Sequence, residues 1–424
     1  IIQRENRTKK KKANHRQTTL KLQDVDKQFI MDLFLESDSI STINRLSVAI
    51  ANVVNENSEN MAMLNNVLKK EPHFKPSEQR PAPTTQTQPV PRRILFFYER
   101  TILNYTAYEY EERFKMKKTT VELKKNFRST SNIVPLDKKL HIFLWLLTSD
   151  SSYSEVGSLF NLHKSTVNYI MNEIAILIAQ QHFEFIRWLS PEEQHITRIK
   201  VHSRLKLPNC VGFIDACRLR VSTQMSKRNR PEVLLLQAVC DDSLLFTDIF
   251  IGEVGKTKKS KVYKDSPLSK DLKKFIDYEN HILGNNEYKL KMNLITPFSS
   301  EELLTGEEMK FNNTHWKAQA YIGRAFELLK ERFRKLNHLD INKIDTVTIL
   351  IQSACILHNF ILLHEGIDSE VKEEIVSSDD GVHIDNTIVT NAIEKRQFLC
   401  NYVNYINSAC TTPKHDSDDL QTPD

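Results

Sequence analysis

The chain has 424 residues and 40% hydrophobic content, enough for two or three domains with at least one real core, which excludes a wholly disordered protein. A formal net charge of +5 is too small to mark a nucleic-acid binder by itself, but the charge is unevenly placed. Arg4, Arg7, Lys9, Lys10, Lys11, Lys12 and Arg16 crowd one end, while Glu370, Glu373, Glu374, Asp379 and Asp380, then Asp416, Asp418, Asp419 and Asp424, crowd the other. Two solvated tails would explain this, and so would a nuclear-import or phosphate-contacting arm at the basic end.

Residues 1–75 read as a basic arm and a short helical segment, with apolar residues at helical spacing over 25–35 and 43–54 and Ser41 and Thr42 as a cap for the second stretch. Residues 76–93, PSEQRPAPTTQTQPVPRR, carry five prolines and almost no large apolar side chains, so an extended linker is expected. Over 94–200 the apolar residues recur at threes and fours and glycine is nearly absent, which predicts a helical domain. Within it, 138–178 has the rhythm of a helix-turn-helix: one short helix around 154–160, a turn over Asn161, Leu162 and His163, and a second helix from Lys164. Val156, Leu159, Phe160, Val167 and Ile170 would pack the pair together. Lys164, Ser165, Thr166 and Asn168 would then face outward at the start of the second helix, where free N–H donors and a positive dipole suit phosphates and base edges. A plain helical hairpin whose polar face meets only water fits the same pattern.

From residue 201 to 365 the texture turns to strands and then helices, a mixed α/β domain. Strands are expected over 209–214, 219–221, 233–239 and 244–251, with Asp241, Asp242 and Ser243 as a hairpin turn, and helices over 316–336 and 344–363. Residues 366–424 read as an acidic region with one helix at about 388–407 and a disordered tail. No apolar run is read as approaching the roughly 18 residues of a membrane helix; the best candidate, 140–147, reads as a short core helix, and a soluble protein with no membrane partner is expected. The chain starts at Ile1, so the lack of an N-terminal targeting signal carries no weight. Cys210, Cys217, Cys240, Cys355, Cys400 and Cys410 show neither a CxxC pair nor zinc-finger spacing, which predicts reduced, buried thiols of an intracellular protein.

The stretch VGFIDACRLRV, 211–221, sets a lone carboxylate, Asp215, in a run that reads as a buried strand. It resembles the first catalytic strand of the PIF/Harbinger transposase-derived nucleases, which ends in Ile-Asp-Gly-Thr-His. The resemblance extends to LLLQAVCD at 234–241 with LFTD at 245–248, to LITPF at 294–298, to RAF at 324–326 followed by LKERFRKL at 329–336, and to CILHNF at 355–360. It covers roughly 94–407 in order, and it implies an RNase H-like mixed sheet with flanking helices, preceded by an all-α helix-turn-helix domain. It also implies a cluster of acids that grips two magnesium or manganese ions for phosphodiester cleavage.

Carried over one position at a time, that acid cluster is incomplete. The first acid is Asp215, followed by Ala216, Cys217 and Arg218 where the family has Gly-Thr-His. The second falls on Lys259, the third on Asn285, and the glutamate before Arg-Ala-Phe on Gly323. A lysine in a ligand position repels a cation, and Lys256, Lys258, Lys259 and Lys261 together would draw phosphate instead. Glu287, Asp265 and Glu327 are the neighbouring acids available as replacements, but Glu327 lies one turn, about 5.4 Å of rise, beyond Gly323. Asp215 is therefore expected as a vestigial acid ion-paired with Lys259, with metal binding at Asp215 as the alternative. Asp241, Asp242 and Asp248 read as turn and strand-end residues, and His358 with Asn359 as a helix face packed under the sheet.

The expectation is a domesticated Harbinger-type transposase that has lost cleavage, needs no cofactor, and works in the nucleus as a DNA- or chromatin-associated interaction protein. The resemblance implies that DNA contact is direct or through a separate Myb/SANT-like partner. The alternative is an active magnesium- or manganese-dependent endonuclease in which Asp215, Glu287 and Glu327 hold the metal.

Overall fold

A computed structural model describes residues 96–122, 134–222, 232–252, 255, 258–299, 303–340, 344–366 and 390–409. The chain divides into two units at Pro89 and Val90. The first unit lies outside the described residues, as do the expected linker at 76–93, Lys256, and the acidic stretches 367–389 and 410–424.

The second unit begins with helices: α1 (Phe97–Arg100), a 3-10 turn at Ile102–Asn104, α2 (Ala107–Phe114), α3 (Lys118–Glu122), α4 (Leu136–Leu147), α5 (Tyr153–Phe160), α6 (Lys164–Ala179), α7 (His182–Phe185) and α8 (Pro191–Leu205). Their starts are written in the sequence as reciprocal caps. Thr106 with Glu109, Ser152 with Glu155 and Ser190 with Glu193 each satisfy two otherwise orphaned backbone N–H groups. The turn from α5 to α6 depends on two residues. Asn161 adopts φ 58°, and a Cβ on Gly157 would stand 2.7 Å from the Leu162 carbonyl oxygen, so only glycine lets the chain fold back there. Val156, Phe160, Val167 and Ile170 are buried between the two helices, as their spacing predicted; Leu159 is only partly covered.

The sheet holds β1 (Cys210–Ser222), β2 (Glu232–Cys240) and β3 (Phe246–Ile251), then, after α9 (Lys259–Asp265) and α10 (Leu268–Phe275), β4 (His281–Gly284) and β5 (Leu294–Ile295). The strand order is β3-β2-β1-β4-β5. Pairing is antiparallel on the β2 and β3 side and parallel on the β4 and β5 side, a mixed sheet. After α11 (Gly306–Arg332) and a 3-10 turn at Arg334–Asn337, the two-residue β6 (Leu339–Asp340) pairs with the far end of β1. Two helices complete the described chain, α12 (Ile344–Glu365) and α13 (Ala392–Ala409).

The expected strand pieces at 209–214 and 219–221 are one continuous strand. Its first five residues are buried, and from Asp215 onward more open positions appear, at Asp215, Cys217, Arg218, Arg220 and Ser222. One face of β1 therefore opens where the carboxylate stands. On one side of the sheet, Val211, Ile214 and Val239 pack with Tyr263, Leu268 and Leu272 of α9 and α10. On the other, Phe213 stacks on Tyr321 of α11 at 4.9 Å, and Phe246 meets Phe326 of α11 and His358 of α12. The core that includes these residues continues into the helices, where Ser353 of α12 donates to the Ala175 carbonyl of α6 at 2.7 Å.

One sequence expectation is corrected. The stretch Thr346–Glu365 of α12 is long and apolar enough to cross a membrane, contrary to the reading that no such run exists. Gln352, Ser353, His358 and Asn359 interrupt the run in sequence without adding an Asp, Glu, Lys or Arg. With 72% of it buried against the rest of the protein, it is a core helix. The five cysteines among the described residues are free thiols, four of them buried and Cys217 partly so.

The turn between β2 and β3 has a pH consequence. Asp241 Oδ1 accepts the Ser243 and Leu245 N–H groups, yet burial, reinforced by the neighbouring Asp242 charge, pushes its carboxyl up to about 7. Burial likewise raises Asp248 to about 6. Acids with raised folded values hold protons that the unfolded chain has already released, so the stability these two carboxyls contribute is lost as pH rises from about 4 to about 7. Denaturation midpoints measured across that range should fall for the native chain relative to Asp241→Asn, which keeps the accepting oxygen.

Candidate functional site

Asp215 sits on the central strand, opposite Ala238 of β2. Its predecessor Ile214 lies beside Gly284, the last residue of the parallel strand β4, so the chain leaving β4 brings Asn285 next to Asp215. Helix α9 supplies the third side. Buried Val262 and Tyr263 hold it against the sheet, and Gln237 of β2 donates to Ser266 just past its end at 3.3 Å. Its first residue, Lys259, is thereby carried over the open face of β1.

These side chains form a closed set of contacts. Asp215 Oδ1 accepts from Lys259 Nζ at 2.8 Å, from Asn285 Nδ2 at 2.9 Å and from the Ala216 N–H at 2.7 Å. Lys259 Nζ also reaches Glu287 Oε1 at 3.2 Å, and the Glu287 N–H donates to Asn285 Oδ1 at 3.0 Å. The lysine side chain is 11% exposed, that of Asp215 25% and that of Glu287 41%, so the ammonium is the most enclosed of the three charges. Tyr288 lies alongside with its phenol pushed up, first by burial and then by the Asp215 and Glu287 charges. Burial raises the Cys217 thiol to about 11, which keeps it protonated and unfit as a nucleophile.

The remaining predicted positions do not converge on this set. Gly323 is exposed on α11, and a Cβ there would meet nothing within 4 Å. Glu327 is 65% exposed and engages Arg324 at 3.4 Å, as Glu331 does at 3.3 Å. Asp265 is exposed at the far end of α9, and Lys258 is exposed at its start. Among the described residues no group of three or more His, Cys, Asp or Glu is placed to hold a metal ion. The residues present do not fit a two-metal site: an ammonium stands between the two carboxylates that approach each other, and the third proposed ligand points elsewhere.

In the helical layer, Lys164, Ser165 and Asn168 are exposed at the start of α6 and Thr166 is half-buried. His163, not singled out in the sequence, caps this helix: its Nδ1 accepts the Ser165 N–H at 3.3 Å and lies 2.7 Å from the Ser165 hydroxyl. The signal was weak, because a histidine cap is rare beside Ser, Thr, Asp and Asn. It means that Ser165 is already engaged with its neighbour. His358 and Asn359 lie under the sheet as expected, bonded to the backbone of Leu244 and Phe246.

Comparison with known proteins matches residues 216–359 to a DDE superfamily endonuclease family. The matched region opens one residue after Asp215. The chain is 24% identical over 259 residues to a "Protein ALP1-like" of Arabidopsis thaliana, covering 55% of this chain and 62% of that protein. It is 22% identical over 236 residues to "Putative nuclease HARBI1" of Bos taurus, covering 53% of this chain and 66% of the relative. The chain thus spans just under two thirds of the length of these relatives. No solved structure matches it.

Proposed function

We propose, from the likeness to a DDE superfamily endonuclease family and to the Harbinger transposase-derived nucleases, that the chain is a domesticated transposase that holds DNA without cutting it, as a nuclear DNA- or chromatin-associated interaction protein. The observation that carries this reading is the Lys259 ammonium set between Asp215 and Glu287. Cleavage in an RNase H-like nuclease needs carboxylates that converge on two divalent ions, and a fixed positive charge at their centre opposes that. Gly323 and Asn285 add to the argument, since neither supplies a carboxylate.

Binding is assigned to α5 and α6, read as a helix-turn-helix. Lys164 and Asn168 are exposed at the N-terminal turn of α6, where side chains and free N–H groups meet phosphates and base edges. Contact with DNA is direct through this face or made through a Myb/SANT-like partner protein.

The test has two arms on the full chain. Incubated with plasmid and magnesium or manganese, the protein is expected to nick no more than Asp215→Asn; metal-dependent nicking that disappears in the variant would overturn the loss of cleavage. With duplex DNA, affinity is expected to fall steeply with salt, and Lys164→Glu should weaken binding and reduce the salt slope by about 1. An unchanged salt slope would remove α6 from the interface.

A further inference from the structure

We infer that Lys259 is the site's own cation: its ammonium stands where a divalent ion would otherwise gather Asp215, Asn285 and Glu287, and it makes the fold independent of metal. This inference rests on reading Asp215 as the remnant of a metal-binding cluster, and it adds a structural role for what replaced the metal. The four residues close a ring. Lys259 joins Asp215 to Glu287, the Glu287 N–H returns to the Asn285 oxygen, and the Asn285 amide nitrogen returns to Asp215. Asn285 can do this only as an amide, because it must offer a donor to one neighbour and an acceptor to the other. An aspartate there would set a third carboxylate against Asp215.

The charges agree with the geometry. Two divalent ions call for a cluster of acids, whereas one ammonium with three N–H donors matches two carboxylates. Of the family's acidic positions, Asn285 and Gly323 have lost their charge, and Lys259 has reversed it. Asp215 is kept, and Glu287 completes the pair. A single Lys259→Ala change would therefore leave the Asp215 and Glu287 carboxylates facing the space the ammonium had filled. Hard oxygen donors so placed suit Mn2+ or Mg2+. Lysine here does more than exclude metal: it holds the end of β4 to β1 and α9 to both.

The experiment is thermal melting of the full chain in EDTA and in excess Mn2+, with Mn2+ binding followed by electron paramagnetic resonance. The native chain is expected to melt at the same temperature in both conditions and to leave the free Mn2+ signal unchanged. Lys259→Ala should melt about 5 °C lower in EDTA, recover part of that loss in Mn2+, and bind the ion. Lys259→Met, which fills the space without charge, provides the same comparison if the alanine variant does not fold. Two results would each overturn the inference: Mn2+ that binds or stabilises the native chain, or variants that melt like the native chain in EDTA and ignore Mn2+. Plasmid nicking by the native chain bears on the loss of cleavage, whereas a charge-free variant with native stability overturns the role of Lys259 alone.

Discussion

Replacing Glu173 with alanine is expected to destabilise the protein by about 3–5 kcal/mol, among the largest effects of any single substitution in the helical layer. Glu173 lies on α6 and Lys139 on α4, with side chains 5% and 2% exposed, and the ammonium donates to both carboxylate oxygens at 3.0 and 2.8 Å. Truncating the acid leaves the Lys139 charge buried without its carboxylate, a costly state at 2% exposure. The double variant Lys139→Met with Glu173→Leu removes both charges and keeps the volume, so most of the loss should return. Urea denaturation of the two single variants and the double variant gives the coupling directly. A loss below about 1 kcal/mol for Glu173→Ala would mean that the pair is solvated in practice. The consequence reaches the proposed interface, because α4 holds the helix that carries Lys164 and Asn168.

That pair also marks the limit of what the sequence discloses. Helix α6 was legible from its apolar spacing, and so was α4, yet each carries one ionic residue on its buried stripe. Spacing assigns such a residue to a face but cannot say which partner, 34 positions away, neutralises it. The first three strands of the sheet were legible because apolar runs are bounded by turn residues such as Asp241, Asp242 and Ser243, whereas β4, β5 and β6 are too short to stand out as strands. Their register and order were not, since these depend on contacts across the chain. Asp215 and Lys259 were brought together from the family resemblance, and the 2.8 Å contact follows that expectation in space. Glu287 was foreseen only as a replacement metal ligand. It instead completes the ion-pair ring, because the turn after β4 aims its carboxylate at Lys259. Long α12 hides its length for the opposite reason: its polar residues interrupt the apolar run in sequence, although in space Ser353, His358 and Asn359 each bond to backbone inside the core.

Asn359→Leu is expected to cost about 3–5 kcal/mol, through three backbone groups at once. Asn359 is 1% exposed on α12, and β3 is an edge strand whose outer side has no neighbouring strand along the described sheet path. At Phe246, where β3 begins and its register with β2 shifts, the asparagine takes the place of that neighbour. Its Oδ1 accepts the Phe246 N–H at 2.8 Å and its Nδ2 donates to the Phe246 carbonyl at 2.7 Å, the two bonds a paired strand would have made. The same amide nitrogen donates to the Phe185 carbonyl at 2.7 Å and so ties α7 to the sheet edge. Leucine matches the volume and offers none of these bonds, which leaves the buried Phe246 N–H and carbonyl without partners and removes the donor to the part-buried Phe185 carbonyl. Aspartate would retain the bond to the Phe246 N–H but turn a carboxylate oxygen against two carbonyls, so it should be no milder. The loss should be local before it is global. In Asn359→Leu, hydrogen exchange at the Phe246 amide is expected to speed up more than at Leu236 or Val239 in the interior of β2, whereas uniform acceleration would assign the effect to general loosening of the core. The side chain that seals this edge is one that a sequence reading assigns only to a helix face, and its value comes from the strand it substitutes for.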